Sequence, residues 1–274
     1  MIGMGLLEAI PATDILARAD PEDADSNGIS GRPQIVWSDV HDEPMLGRFG
    51  LKAGNPTVME QSASAFAGDI GISNPIHPAG SGECTDAQTD CTAALHGGDA
   101  EQSGFEIDRV GLDLVTFYSQ TLAVPARRDV DDPEVLRGRE VFFETGCSSC
   151  HQPNHVTHRL DGDDPASFQL IWPYTDLLLH DMGPALADGR DEFLANGNEW
   201  RTPPLWGIGL AQLVNPQAGF LHDGRARSLE EAVLWLMGHL RNSDWGAVEA
   251  TLPVTLLLFV ALLAFARDLN VMLL

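Results

Sequence analysis

One run of six residues, Gly146-Cys147-Ser148-Ser149-Cys150-His151, constrains this chain more than any other feature. With 4 Cys and 9 His in 274 residues, a C-x-x-C-H should arise by chance only about 0.002 times per chain. Covalent haem c explains the spacing. It needs two thiols that reach two vinyl groups of one porphyrin, then an imidazole directly after the second thiol to coordinate the iron. The run therefore predicts Cys147 and Cys150 as attachment sites and His151 as the proximal iron ligand. A thioredoxin-type pair also uses C-x-x-C, but it needs no histidine there and sits in a βαβ setting, and no strand pattern precedes Cys147. A zinc site would need two further ligands. His155 and His158 could supply them, although both read more simply as solvent-facing loop histidines.

The other two cysteines, Cys84 and Cys91, lie in a polar loop and predict a short-loop disulfide. A disulfide implies an oxidising compartment, and haem c attachment points the same way, so a periplasmic location is expected. The opening residues Met1 to Glu8 lack a basic region and a long apolar stretch, so the expected export signal would lie upstream of Met1.

Sixteen basic and 40 acidic residues leave a net charge of −24. With 44% apolar and 20% charged residues, the chain is globular rather than disordered or fibrous, and its length suits one or two domains. Phosphate-bearing partners such as nucleic acid or anionic lipid would be repelled. A redox protein that donates or accepts electrons through a basic docking patch fits better, and solubility alone is the plainer account of the charge.

Along the chain, residues 1 to about 60 are rich in Gly, Pro and Asp. Within them, Asp23, Asp25 and Asn27, followed by Gly28, resemble the opening of a calcium loop. Gln34 stands where a full EF-hand has Glu, and an Asx-rich turn is the alternative. Ile107, Val110, Leu114, Phe117 and Tyr118 recur at helical spacing and predict a helix over 107–122. Pro125 stops it, and a charged linker follows. Asp132 as cap, Pro133 in the first turn and Gly146 at the exit predict a second helix that runs straight into Cys147. Its apolar stripe is Val135, Leu136, Phe142 and Phe143. Residues 152–227 show weak periodicity, and Trp172, Trp200 and Trp206 among them could pack on a porphyrin or form ordinary core. Ser228 with Glu231 is a capping box for a further helix. On it, Met237 and His239 lie on opposite edges of the stripe, and Met237 is the candidate distal iron ligand. From Val254 to Ala266 only Thr255 is polar. That run is shorter than the roughly 20 residues of a bilayer span, so no membrane span is expected.

Several runs together resemble the bacterial di-haem oxidoreductases, often labelled thiol oxidoreductases and related to di-haem cytochrome c peroxidases. They are Met4–Pro11, Asp25–Pro33, Gly47–Gly54, Tyr174–Gly183, Arg201–Gly207 and Phe220–Ala232. The resemblance reaches from residue 1 to about 235. It implies that Cys147, Cys150 and His151 hold the second of two haems, that the regions of Arg201 and His222 line it, and that a Met or His on the following helix completes the iron. The chain departs from the family in two ways. It has a single C-x-x-C-H, so the first haem site would lie upstream of Met1, and Leu236 stands where the resemblance places the distal ligand.

The expected fold is mainly α. Residues 1–130 would be a loop-rich remainder of a first haem domain and the interdomain region, and residues 131–274 a cytochrome c-like haem domain. The expected function is electron transfer by a c-type haem protein of the di-haem peroxidase type. The alternatives are a stand-alone mono-haem carrier and a thiol-disulfide oxidoreductase using Cys147 and Cys150.

Overall fold

Glycine and proline, 27 and 17 of 274 residues, interrupt the chain so often that, among the described residues, only three stretches sustain long helices. The computed structural model describes residues 2–242 except 96, 99, 100, 102 and 163, with side chains as far as residue 236. Two short helices, Met4–Glu8 (α1) and Ala12–Leu16 (α2), are followed by strands Gly31–Arg32 (β1), Ile35–Ser38 (β2) and Glu43–Leu46 (β3). Helices Val58–Ser64 (α3), Thr89–Thr92 (α4), Arg109–Thr121 (α5) and Pro133–Glu144 (α6) come next. After the cysteine motif lie strands His155–Val156 (β4), Leu170–Ile171 (β5), Leu179–Asp181 (β6) and Glu199–Arg201 (β7). Helices Ala211–Val214 (α7) and Leu229–Asn242 (α8) complete the described residues.

The expectation of a mainly α chain is overturned. Helix accounts for 30% and strand for 11%, in several small sheets. The stretches that read as loops contain short extended segments, often beside proline or rich in β-branched residues, and these find partners. Ile35–Ser38 and Glu43–Leu46 form a hairpin, and β4 pairs with β5. A three-stranded antiparallel sheet has the order β1-β6-β7 and joins sequence-distant segments. Its register sets Gly31 against His180 and His180 against Trp200.

Helix starts follow the sequence signals. Asp132 accepts from Glu134 N at α6, where Pro133 occupies the first turn, and at α5 the Asp108 side chain, not among those signals, accepts from Gly111 N. The Ser228 hydroxyl accepts from Glu231 N at 3.1 Å at α8. The faces are less legible. α5 packs on α1 and α3 through buried Leu112 and Thr116, while Val110, Leu114, Phe117 and Tyr118 are each about two-thirds exposed. Periodicity reveals a helix, but it does not say which side is covered. On α6, Val135, Val141 and Phe142 are buried, whereas Leu136 and Phe143 face outward.

Two apolar clusters meet around the segment 171–178. One joins α6 and α8 through Val135, Val141, Phe142, Leu229 and Ala232, with Tyr174, Leu205 and Phe220, and Cys147 packs against it. The other joins Met4, Ile10, Ile15, Phe49 and Val58 to Ile171, Leu177, Leu178 and Trp206. Because Leu112 is fully buried, Leu112→Ala should cost about 2–5 kcal/mol in urea unfolding. Phe117→Ala, on the apolar but exposed side of the same helix, should stay within about 0.5 kcal/mol.

Candidate functional site

The site begins where α6 ends. Gly146 takes the left-handed conformation (φ 79°), which strains a side-chain-bearing residue. The chain turns there into a 3-10 turn, Cys147–Ser149, and His151 N donates to Cys147 O at 2.9 Å. Both thiols are thus delivered by one tight turn, and neither is in a disulfide. The other pair, Cys84 and Cys91, is joined in one, as their spacing predicts.

A second segment lies alongside the motif. Asp176 N donates to Cys150 O at 3.1 Å, Thr175 N to Gln152 O at 2.9 Å and Tyr174 N to Pro153 O at 3.4 Å. His151 Nδ1 lies 2.8 Å from Tyr174 O. A carbonyl can only accept, so Nδ1 carries the proton and Nε2 keeps its lone pair. Burial pushes the His151 pKa down, against the opposing pull of that hydrogen bond and of Asp176. The imidazole is therefore held neutral, the form that ligates metal.

The two sulfurs differ in their surroundings. Cys147 lies 3.4 Å from Thr145 Oγ1 against the apolar cluster, and burial pushes its thiol pKa up. Cys150 Sγ lies 3.6 Å from His180 Nδ1, and His180 Nε2 lies 2.8 Å from Asp176 Oδ2. Burial lowers the His180 pKa, but the hydrogen bonds to Asp176 and Cys150 and their charges outweigh it, lifting the pKa to about 10. A cleft of about 760 Å³ opens beside the turn, bounded by Ser148, Gln152 and Pro153, by Glu140, Phe143 and Glu144 of α6, and by Trp172.

Other expected residues are placed as follows. His155 is buried, not solvent-facing, with Nε2 2.8 Å from Thr175 O, and His158 is exposed. Among the described residues, three or more metal-ligating groups converge only at Asp20, Asp23 and Asp25, whose ligand atoms lie within 4.8 Å of one another. A closed zinc site at Cys147 and Cys150 is therefore absent among the described residues. In the acidic turn, Asp20 joins Asp23 and Asp25, while Asn27 Oδ1 accepts from Ile29 N. Gly28 N donates to Asp23, so these carboxylates already serve the backbone. His222 stacks on Trp200 at 3.6 Å between ring centroids, and Lys52 Nζ sits 4.6 Å over that indole. Arg201 donates to Gly50 O and Thr202 O, and burial pulls its pKa down to about 10. The side chains of Met237 and His239, and the apolar run Val254–Ala266, lie outside the described residues. No helix among those residues is long and apolar enough to cross a membrane.

The family model described as "Di-haem oxidoreductase, putative peroxidase" matches residues 1–251. The chain belongs to this di-haem oxidoreductase family. A redox role and a haem cofactor are what the family brings. A stretch of 69 residues, 25% of the chain, is 41% identical to the cobalamin import system permease protein BtuC of Halobacterium salinarum and spans 19% of that protein. No solved structure matches.

The sequence singled out neither Asp176 nor His180. Both lie in the run Tyr174–Gly183, which entered only as a resemblance. A stability experiment tests their pairing. A histidine whose folded pKa is raised from 6.5 to about 10 contributes stability that is complete below about pH 6.5 and is lost as pH rises through about 10. Asp176→Asn should be about 3 kcal/mol less stable at pH 6. The gap should narrow steadily in thermal melts taken up to pH 10.

Proposed function

We propose that the chain is a c-type haem protein that transfers electrons, with Cys147 and Cys150 bonded to the porphyrin and His151 Nε2 facing its iron. The hydrogen bond from His151 Nδ1 to Tyr174 O carries this reading, because it leaves one nitrogen of a neutral, oriented imidazole for the metal. The residues present fit the group: two unpaired thiols on one turn, an oriented imidazole, and an apolar cluster beside Cys147. Bound there, haem iron supplies one-electron chemistry. The protein's own part is to fix the imidazole through Tyr174 O, to keep water from its buried side, and to brace the motif with residues 174–176. Met237 on α8 would be a further ligand of that iron.

Glu140 and Glu144 border the cleft beside Ser148, and the whole chain carries −24. Both support a redox partner that docks through a basic patch. A periplasmic location follows from covalent haem together with the Cys84–Cys91 disulfide. The single C-x-x-C-H favours an electron carrier over peroxide turnover by this chain alone. A thiol-disulfide oxidoreductase is less well supported, since burial raises the Cys147 thiol pKa and a reactive thiol needs the opposite shift.

Expression in the periplasm with haem-maturation machinery tests the proposal. The protein should keep haem through denaturing electrophoresis, and the double variant Cys147→Ala/Cys150→Ala should lose it. A parent chain that runs free of haem would overturn the reading. With peroxide and a reduced donor, the matured chain should show no rapid turnover. Met237→Ala should abolish a near-infrared Met-to-iron band. An unchanged spectrum would remove Met237 from the iron.

A further inference from the structure

Among the buried side-chain nitrogen and oxygen atoms of the described residues, one lacks a hydrogen-bond partner: Nε1 of Trp206. A buried donor without an acceptor is unfavourable and calls for an explanation. The ring has little room to turn in search of one. A Cβ on Gly3 would stand 2.4 Å from Trp206 Cζ2 and 2.5 Å from Val124 Cγ2, so the indole is pressed close to the Gly3 backbone.

Trp206 lines a cavity of about 170 Å³. Four separate stretches of chain build it. Leu6 comes from α1, Val124 and Arg127 from the segment after α5, and Ile171 and Trp172 from β5 and the residue that follows it. Tyr174 and Trp206 complete the wall. Most of this surface is apolar. A cavity of about 150 Å³ lined by apolar side chains holds benzene, so this one has room for a single ring with a small substituent. Arg127 is the one cation in the lining. Its charge is felt by the Tyr174 phenol, where it opposes the upward push of burial on that pKa.

Apolar walls with a few polar groups are the make-up of a small-molecule site. Here the polar groups are a guanidinium and an unpaired N–H, and both ask for an acceptor with negative charge. A carboxylate meets that need, since its two oxygens can take several donors at once. A phosphate or sulfate would leave further charged oxygens against apolar walls.

We propose that this cavity binds a small aromatic carboxylate, its ring against Ile171 and Trp172, its oxygens paired with Arg127 and accepting from Trp206 Nε1. The site does not use Cys147, Cys150 or His151, and it does not rest on the haem c reading. Nε1 is sealed from solvent as the walls stand. Val124 borders the cavity and lies beside the indole, and a rotamer change there on binding opens the way to the donor.

Benzoate is the probe. Benzamide, with the same ring and an acceptor oxygen but no charge, is its control. In equilibrium dialysis, the matured full chain should bind one benzoate, with benzamide about tenfold weaker. Arg127→Gln should weaken benzoate about tenfold and leave benzamide within about twofold. Trp206→Phe keeps an aromatic ring and removes the N–H, and it should weaken both ligands about tenfold. No saturable benzoate binding at about 1 mM would overturn the inference. Binding that Arg127→Gln leaves unchanged would overturn it, since the acid would then sit elsewhere. Equal loss of both ligands in Arg127→Gln would also overturn it, because Arg127 would then only hold the fold. Benzoate bound by Cys147→Ala/Cys150→Ala but not by the matured chain would overturn it in favour of a carboxylate of the haem itself. Haem retention in denaturing electrophoresis of the same samples reports separately on the haem c reading.

Discussion

The fold around the motif depends on a short stretch of backbone pairing. Residues 174–176 lie along residues 150–153, and three backbone bonds and one imidazole bond join them. Sequence-distant segments held this way pay a loop-closure cost before any packing returns it, so the pairing must be cooperative with the cores on either side. Tyr174 shows how. Its carbonyl accepts from His151, and its ring meets Phe142 edge-on at 5.4 Å. One residue thus sets the imidazole's direction and fills the core on which α6 rests.

The legible part of the molecule is local. The cap at Asp132, the proline after it, the glycine exit and the capping box at Ser228 each act within one helical turn, and each lies where the sequence places it. The motif Cys147 to His151 is legible for the same reason, since its chemistry is written in consecutive residues. What fails is long-range. β1 has two residues and no alternation, and it becomes a strand only because residues 179–181 arrive beside it. A chain assembled from such segments reads as loop, and the expectation of a mainly α fold follows from that blindness. The stripe on α5 fails differently. Its spacing is helical, yet the helix meets α1 and α3 through Leu112 and Thr116. His155 errs the other way, a polar residue in a weakly patterned stretch that proves buried because Thr175 O accepts its Nε2 proton.

His180 and Asp176 were illegible for a third reason. They are four apart, the spacing of neighbours on a helix, but they occupy a strand and the bend before it. Their meeting depends on the bend. Asp176 Oδ1 caps the turn by accepting from Leu178 N, which leaves Oδ2 for the imidazole. No pattern of residue types announces that division of one carboxylate between backbone and side chain.

Loop-rich cores leave backbone carbonyls without the ladders that satisfy them in helices and sheets, and each needs a donor. This chain supplies cations. Lys52 Nζ binds Asp188 Oδ1 at 2.8 Å, Arg190 O at 2.6 Å and Asn196 O at 3.0 Å. Arg48 reaches Leu7 O at 3.0 Å, and Arg201 reaches Gly50 O and Thr202 O. Arg32 binds Glu199 and Leu194 O. Of 16 basic side chains, these four are thus committed to holding loops. Their acidic counterparts are mostly outside, so the surface that a partner meets is more one-sided than the composition alone conveys. The docking of a basic partner proposed above rests on that asymmetry. A field of one sign speeds encounter with an oppositely charged protein and turns away phosphate-bearing ones, and here it arises from 40 acidic against 16 basic residues, several of the latter turned to the backbone.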